Sequence, residues 1–133
     1  MKIKCIFLAF ILFSSFVASD ENIDLSGGDL DKNIKKTLTL SPNFDKDKYI
    51  VTYSCMSAFV CAIIYDPKTD EHIGFPDMYE ALITDMNIKF KVIFSRDSNK
   101  FCIDGTSGTD FTIEYKNKCY YLDRKKKELI AIN

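Results

Sequence analysis

The sequence predicts a mainly β fold, a single antiparallel meander or sandwich of about seven to eight short strands with one or two short helices. Apolar and polar residues alternate over several short runs, which is the period of a half-buried strand. Turn-forming residues separate these runs at close intervals, as in all-β domains. The chain has 133 residues, a length that fits one domain with a modest core.

Residues 1–19 are predicted to be a secretory signal peptide. Lys2 and Lys4 give a positive start, residues 5–13 contain no polar side chain, and Val17-Ala18-Ser19 supplies small residues for cleavage. The apolar run is shorter than the roughly 20 residues that cross a bilayer. We therefore expect an exported, periplasmic or extracellular chain with no transmembrane segment after cleavage.

Residues 20–42 are interpreted as an N-terminal lead-in with a short helix, and residues 43–133 as the β-rich domain. Asp29 is a candidate helix cap. It is followed at a spacing of four by Leu30, Ile34 and Leu38.

Three strands are predicted next, as a meander. Tyr49–Cys55 alternates between apolar and more polar residues, whereas Val60–Tyr65 is apolar on both faces and is predicted to be central. The turn Asp66–Asp70 then returns the chain through Glu71–Phe75.

Pro76 interrupts the strands, and a two-turn helix is predicted after it. Asp77 and Glu80 have the spacing of a capping box. Asn87 can end this helix, and its apolar stripe is formed by Met78, Leu82 and Met86.

In the second half, Phe90, Val92 and Phe94 alternate with Lys89 and Lys91, which predicts a strand with one solvated face. A two-residue hairpin is predicted at Lys116-Asn117. The other predicted strands cover Lys100–Asp104, Phe111–Tyr115, Cys119–Leu122 and Leu129–Ile132.

Cleavage of the signal leaves four cysteines, an even number that predicts two disulfides with three possible connectivities. The spacing favours Cys55–Cys61, because five intervening residues suit a loop between adjacent strands. Cys102 and Cys119 would then form the second pair. In a simple meander one strand separates them by about 9–10 Å, beyond the roughly 7 Å limit for a bridge, so either the strand order is not sequential or these thiols are free.

The sequence contains no strong signal for a metal site, a cofactor or a nucleic-acid partner. There is no C-x-x-C pair, and the single histidine is far from the cysteines. Two of the 18 basic residues leave with the signal while all 19 acidic residues stay, so the mature formal charge is −3. A nucleic-acid-binding domain of this size usually carries a strongly basic face.

Three local features were weighed as functional sites. His72, beside Asp70 and Glu71, resembles an acid-oriented base, but an exposed hairpin histidine is the favoured interpretation. The loop 104–110 is favoured as a solvated connection over a cation site. Arg124–Lys127 is favoured as a soluble hairpin tip over a phosphate-binding site. We therefore assign no catalytic residue from the sequence.

Part of the chain resembles a group of small exported bacterial proteins of unknown function. The resemblance covers roughly residues 43–122, and in that group the second cysteine follows the first by four residues, where this chain has Phe59. It implies an exported, envelope-associated β-sheet domain. The motifs that carry it are Asn43-Phe44, Tyr49–Cys55, Ile63–Asp70, and Phe94–Ser98 followed by Gly105.

We expect the mature domain to bind a macromolecular partner, either a protein or an envelope component. The alternative is a small hydrolase or transferase whose site is assembled from distant Asp, Ser and Tyr residues. No motif of a known hydrolase is present locally, which favours binding.

Overall fold

The computed structural model describes residues 29–82, 84 and 87–132. Over these residues, eight strands form two antiparallel four-stranded sheets, and one helix is present. The predicted signal peptide and residues 20–28 lie outside the described residues. The elements are α1 (Leu30–Thr37), β1 (Tyr49–Met56), β2 (Phe59–Asp66), β3 (Glu71–Gly74), β4 (Tyr79–Glu80), β5 (Lys91–Phe94), β6 (Lys100–Thr106), β7 (Glu114–Asp123) and β8 (Glu128–Ile132).

The predicted helix near the N-terminus of the described chain is confirmed as α1, but Leu38, the last residue of its predicted apolar face, lies beyond the helix and is exposed. The Asp29 carboxylate accepts a hydrogen bond from the backbone N–H of Lys32 at 2.8 Å, which satisfies a free donor of the first turn. Ile34 is the buried residue of the helix. Together with Leu30 it packs on the outer face of the first sheet, against Tyr49, Val51, Tyr53, Ile63 and Tyr65.

The first sheet contains the predicted three-strand meander, in the order β1-β2-β3. Residues 60 and 62–65 of β2 are buried, which agrees with its apolar sequence on both faces. One face of β2 meets the residues under α1, and the other face meets the second sheet. The central position predicted for this strand is therefore confirmed.

The helix predicted after Pro76 is wrong where the structure describes it. Tyr79 and Glu80 form β4, which pairs with Val60 and Phe59 beyond the end of β3. Tyr79 also forms a β-bridge with Ser107 of the second sheet. The open edge of β2 supplies backbone partners that a two-turn helix lacks, so pairing between distant segments overrides the local helical pattern. Met86 of the predicted stripe lies outside the described residues.

The second sheet has the order β5-β6-β7-β8. The alternation predicted for β5 is confirmed, because Phe90 is buried, Val92 and Phe94 pack against the core, and Lys89 and Lys91 are exposed. Strands over Lys100–Asp104 and Leu129–Ile132 are also observed, within β6 and β8.

The hairpin predicted at Lys116-Asn117 is wrong, because β7 is one continuous strand of ten residues. Phe111–Ile113 belongs to the preceding turn rather than to a strand. A register shift between Ile103 and Gly105 of β6 accommodates the region around Asn117. The backbone N–H of Asn117 donates to the Asp104 carboxylate at 2.6 Å, so a side chain replaces the ladder contact there.

The two disulfides connect neighbouring strands. Cys55 is bonded to Cys61 across the β1–β2 hairpin, and Cys102 is bonded to Cys119 across β6 and β7. The second pair is possible because no strand intervenes, and its Cα atoms are 4.0 Å apart. Two disulfides indicate an oxidising environment.

The main core lies between the two sheets. Aromatic rings from both sides meet at Phe101, which contacts Phe44, Phe75 and Tyr120. Ile50, Val60 and Ile64 from the first sheet and Ile103 and Leu122 from the second complete this layer. Within the described residues, no helix is long and apolar enough to cross a membrane.

Candidate functional site

Several large apolar side chains are exposed on three segments that contact one another. We call this surface the apolar tip and define it by five residues from three segments that are distant in sequence. Met56, Leu82, Phe111 and Ile113 have exposed fractions of 57%, 66%, 62% and 45%, and Phe59 is half-buried. Clustered apolar exposure of this kind is a feature of interaction sites, whereas isolated exposed apolar residues are ordinary.

The first segment of the apolar tip is the turn between β1 and β2. Met56 and Phe59 are cross-strand partners on either side of Ser57 and Ala58. Ala58 has a positive φ of 67°, which closes this two-residue turn. The disulfide between Cys55 of β1 and Cys61 of β2 connects the two strands of the same hairpin.

The second segment is the loop 107–113, which is held by its own side chains. The Ser107 hydroxyl accepts hydrogen bonds from the backbone N–H groups of Thr109 and Asp110, at 3.2 and 3.0 Å. The Asp110 carboxylate accepts from the Thr112 hydroxyl at 2.7 Å and from its N–H at 3.0 Å. These hydrogen bonds from Thr112 lower the pKa of Asp110. Of the loop 104–110 that the sequence predicts to be a solvated connection, residues 104–106 belong to β6, and residues 107–110 are held by these hydrogen bonds, with the exposed Phe111 directly after them.

The loop and the hairpin are in direct contact. The rings of Phe59 and Phe111 are stacked, with centroids 6.5 Å apart and planes 11° from parallel. Gly108 lies against Phe59 and Met78 so closely that a Cβ there would be 2.8 Å and 2.7 Å from their side-chain atoms. A side chain at this position would therefore force Phe59 and Met78 to move.

The third segment, 78–82, is attached to both of the others by its backbone. The Met78 carbonyl accepts from the N–H of Gly108 at 2.7 Å, and the N–H of Ala81 donates to the Ala58 carbonyl at 2.9 Å. Leu82 follows directly and is the most exposed member of the apolar tip. The three segments thus form one hydrogen-bonded unit under the apolar surface.

Asp77 lies beneath the apolar tip and binds two other elements. Its carboxylate accepts from the Tyr115 hydroxyl at 2.9 Å and from the Thr109 hydroxyl at 3.0 Å. Burial and the hydrogen bond to Asp77 raise the pKa of Tyr115 to about 12. Tyr115 therefore stays neutral at physiological pH and acts as a donor that fixes the loop.

Distant Asp, Ser and Tyr residues do meet here, as the catalytic alternative requires. Ser107 is fully buried, and its hydroxyl already accepts two backbone N–H groups. Tyr79 is also fully buried, its hydroxyl has no hydrogen-bond partner among the described residues, and burial raises its pKa above the ordinary value of 10. A nucleophile must be accessible to substrate. The arrangement is consequently that of a structural support.

Two of the four side chains in the basic run Arg124–Lys127 are held in ion pairs. Arg124 binds Asp45 through its Nε at 2.7 Å and Asp47 through its Nη2 at 2.9 Å. Lys127 pairs with Glu71 at 2.7 Å. We call these five residues the ionic clasp, because they connect the β7–β8 loop to the segment before β1 and to the first residue of β3.

A cleft of about 220 Å³ lies beside the ionic clasp. Its apolar lining is formed by Ile64, Ile73 and Leu122, and Lys48 and Asp66 are ion-paired at its edge, 3.2 Å apart. The cleft is smaller than the 300–1,000 Å³ typical of small-molecule sites. Its charged groups are already engaged with one another.

His72 occupies the exposed hairpin position that was favoured from the sequence. It lies on β3 opposite Tyr65, with ring centroids 6.0 Å apart. Asp70 accepts a hydrogen bond from the Tyr65 hydroxyl at 2.7 Å, and Glu71 belongs to the ionic clasp. Both neighbouring carboxylates are therefore occupied by groups other than the imidazole.

The four cysteines, Cys55, Cys61, Cys102 and Cys119, are all consumed by the two disulfides and are unavailable as metal ligands. Among the described residues, no cluster of three His, Cys, Asp or Glu side chains could hold a metal ion.

Comparison with known proteins gives no match to a family model, to a curated protein or to a solved structure. The resemblance to small exported proteins therefore stays a prediction from the sequence motifs.

The sequence motifs did not reveal the apolar tip. Its residues come from a hairpin turn, a segment predicted to be helical and a segment predicted to be a strand. Phe111 and Ile113 were interpreted as strand residues because they alternate with polar neighbours. One feature of the sequence does indicate this surface. Met56, Phe59 and Phe111 lie next to turn-forming residues, where large apolar side chains are uncommon.

Proposed function

We propose that this chain is an exported domain that acts by binding a protein partner through the apolar tip. The observation that carries the proposal is that four exposed large apolar side chains and the half-buried Phe59, from three distant segments, lie on one hydrogen-bonded scaffold. Export rests on the predicted signal peptide and on the oxidising environment that the two disulfides indicate.

The chemistry of the rim favours a protein over a membrane surface. Lys116 and Lys118 line the same surface depression as Ile113, but Glu114 lines it too and pairs with Lys116 at 3.5 Å. Binding to anionic lipid depends on an excess of basic residues. An apolar centre with a rim of both charges is typical of protein interfaces.

The scaffold lowers the entropic cost of binding. Side chains that are already positioned lose little conformational freedom when a partner docks. The Phe59–Phe111 stack and the hydrogen bonds of Ser107 and Asp77 supply that order before any partner arrives.

The experiment is affinity capture from the exporting organism's own envelope and secreted fractions, with matched variants of the mature protein. Phe111→Ser combined with Met56→Ser removes two exposed members of the apolar tip. Ile93→Ser is the control, because Ile93 is similarly exposed, at 46%, on the outer face of the second sheet. Urea melts verify that all three proteins are folded.

We expect a protein that binds saturably to the wild type and to Ile93→Ser, and that is lost from the apolar-tip variant. Retention of the same partner by the apolar-tip variant would refute the proposal. Saturable binding to lipid vesicles in place of any protein would refute the choice of partner class. Mass measurement of the exported protein should show a start at or near Asp20, and a product that retains Cys5 would refute export by cleavage.

A further inference from the structure

The edges of the two sheets differ in how well they are protected against pairing with another chain. An edge strand with unpaired backbone groups is a template for a further strand, and proteins block such edges with side chains, charges or short strands. Among the described residues, the edge formed by β8 has the fewest of these features, and it is distinct from the apolar tip.

The edge of β1 is blocked by asparagine side chains. Asn43 accepts from the backbone N–H of Ile50 at 2.8 Å and donates to the carbonyl of the same residue at 3.4 Å. Asn33 donates to the carbonyl of Thr52 at 3.0 Å. These amides occupy the backbone positions that an added strand would use.

The other two edges are short or charged. The far side of the first sheet is formed by β3 and β4, which have four and two residues. β5 also has four residues, begins at Lys91, and follows Lys89. Lysine at an edge discourages pairing with another sheet.

β8 is longer and is apolar after its first residue. Its sequence Leu129-Ile130-Ala131-Ile132 contains no charge, proline or glycine. Its register with β7 is regular over five residue pairs, without a bulge. It is therefore a flat apolar edge.

The direction of the β8 backbone groups follows from the neighbouring strand. Leu122 donates its N–H to the Asn99 carbonyl, at 2.9 Å, and its own carbonyl accepts from the Asn99 side chain. Both backbone groups of Leu122 therefore point away from β8. Its partner Leu129 then belongs to a non-hydrogen-bonded pair, whose backbone groups point outward on both strands.

Ala131 lies two residues further and points in the same direction, while Ile130 points back to β7. No hydrogen bond within the described part of the chain reaches the N–H or carbonyl of Leu129 or Ala131. Four backbone groups at the edge of the second sheet are thus available.

We propose that β8 pairs with β8 of a second copy of this chain, in antiparallel orientation about a two-fold axis at Ile130. In this register Leu129 of each copy faces Ala131 of the other, so the four available groups of each copy are satisfied by four hydrogen bonds in total. The two sheets become one continuous eight-stranded sheet.

Self-pairing is favoured because this strand complements itself. The outward residues Leu129 and Ala131 are symmetric about Ile130, which is the condition for an isologous contact. Glu128 faces the partner's Ile132, and the two Glu128 side chains lie about 13 Å apart, four residues along the strand. This separation exceeds the Debye length of about 8 Å at physiological ionic strength. The paired strands therefore meet without charge repulsion.

Five residues provide a small contact, so the dimer should be weak and concentration-dependent. Sedimentation of the mature protein between micromolar and millimolar concentration should show a monomer–dimer equilibrium. Hydrogen exchange followed by NMR supplies an internal control. We expect the amides of Leu129 and Ala131 to become protected as concentration rises, and that of Ile130 to be protected at every concentration.

Ala131→Pro tests the register directly. It removes an outward N–H from each copy and no hydrogen bond within the monomer, since proline is tolerated where a strand's N–H faces solvent. We expect the dimer dissociation constant to rise at least about tenfold, because two hydrogen bonds are lost. Ala131→Lys, which keeps the N–H and adds like charges across the axis, is the second variant in case the proline disturbs folding.

The combined Phe111→Ser and Met56→Ser variant should dimerise as the wild type does, which separates this proposal from the proposed function. A protein that stays monomeric at all concentrations would overturn the proposal. Dimers that leave the amides of Leu129 and Ala131 unprotected, or that persist in both folded Ala131 variants, would also overturn it. So would protection that arises only when a different protein is added.

Discussion

Replacing Phe101 by alanine should be the most destabilising single change in the core between the sheets. The ring is 1% exposed and lies among three other rings, with centroid distances of 4.5 Å to Phe75, 5.6 Å to Tyr120 and 6.0 Å to Phe44. Through these rings Phe101, on β6 of the second sheet, contacts Phe44 before β1 and Phe75 after β3 of the first sheet. Its removal leaves a cavity that neither sheet can fill without moving.

The expected cost follows from these contacts. Truncation of a buried phenylalanine to alanine costs about 3–5 kcal/mol, and three aromatic neighbours place Phe101 toward the upper part of that range. A domain of this size has a total stability of about 5–15 kcal/mol. At an m-value of about 1.5–2 kcal/mol/M, a loss of about 4 kcal/mol lowers the urea midpoint by about 2–3 M.

The assay is urea unfolding followed by far-ultraviolet circular dichroism with the disulfides intact, because the chain has no tryptophan to report by fluorescence. Phe111→Ala is the matched control, since it is the same substitution at a ring that is 62% exposed. We expect Phe111→Ala to cost less than about 1 kcal/mol. Equal shifts for the two variants would refute the assignment of Phe101 to a shared core.

Three further outcomes are expected in the same assay. Arg124→Ala should lower the free energy of unfolding by about 1–2 kcal/mol, because it leaves the buried Asp45 carboxylate unpaired. The control Lys125→Ala should lower it by less than about 0.5 kcal/mol. Equal losses for the two variants would contradict the ionic clasp. Burial opposes ionisation of Asp47 and Asp66, but hydrogen bonds and nearby basic side chains outweigh it and lower the pKa of both carboxyls below 3.8. The stability that these carboxylates contribute above about pH 4 should therefore be lost as the pH falls further. A free energy of unfolding that does not change over this pH range would contradict this. Removal of the Cys102–Cys119 bond by paired alanine substitutions should lower the free energy of unfolding by about 3 kcal/mol, because the bond closes a loop with a sequence separation of 17. Peptide mapping without reduction checks the pairing. Another partner for either cysteine would refute the strand order of the second sheet.

The elements predicted correctly are those whose signal lies within one segment. The Asp29 cap and the four-residue spacing from Leu30 to Ile34 describe α1 without any distant contact. The alternation from Phe90 to Phe94 gives the buried face of β5, because successive side chains of a strand point to opposite sides. The continuous apolar run of β2 likewise predicts a strand that is covered on both faces.

Two of the wrong elements each involve competition between a local pattern and a distant partner. The segment after Pro76 has a helical stripe, but Tyr79 and Glu80 gain backbone partners on β2 and at Ser107. At Lys116-Asn117 the residues suit a turn, but the register shift opposite Gly105 lets β7 continue through them. That continuity brings Cys119 beside Cys102 and removes the distance objection to their bond.

The sequence by itself determined the class of fold, the faces of α1, β2 and β5, and the even set of cysteines, because periodicity and residue type are properties of neighbouring positions. Only the tertiary structure decided the division into two sheets, the apolar tip, the ionic clasp and the open edge of β8. Each of these depends on residues that are far apart in sequence, such as Phe59 with Phe111 and Asp45 with Arg124. Such contacts form only when the energy of pairing and burial exceeds the local preference of each segment, and no single segment encodes that balance.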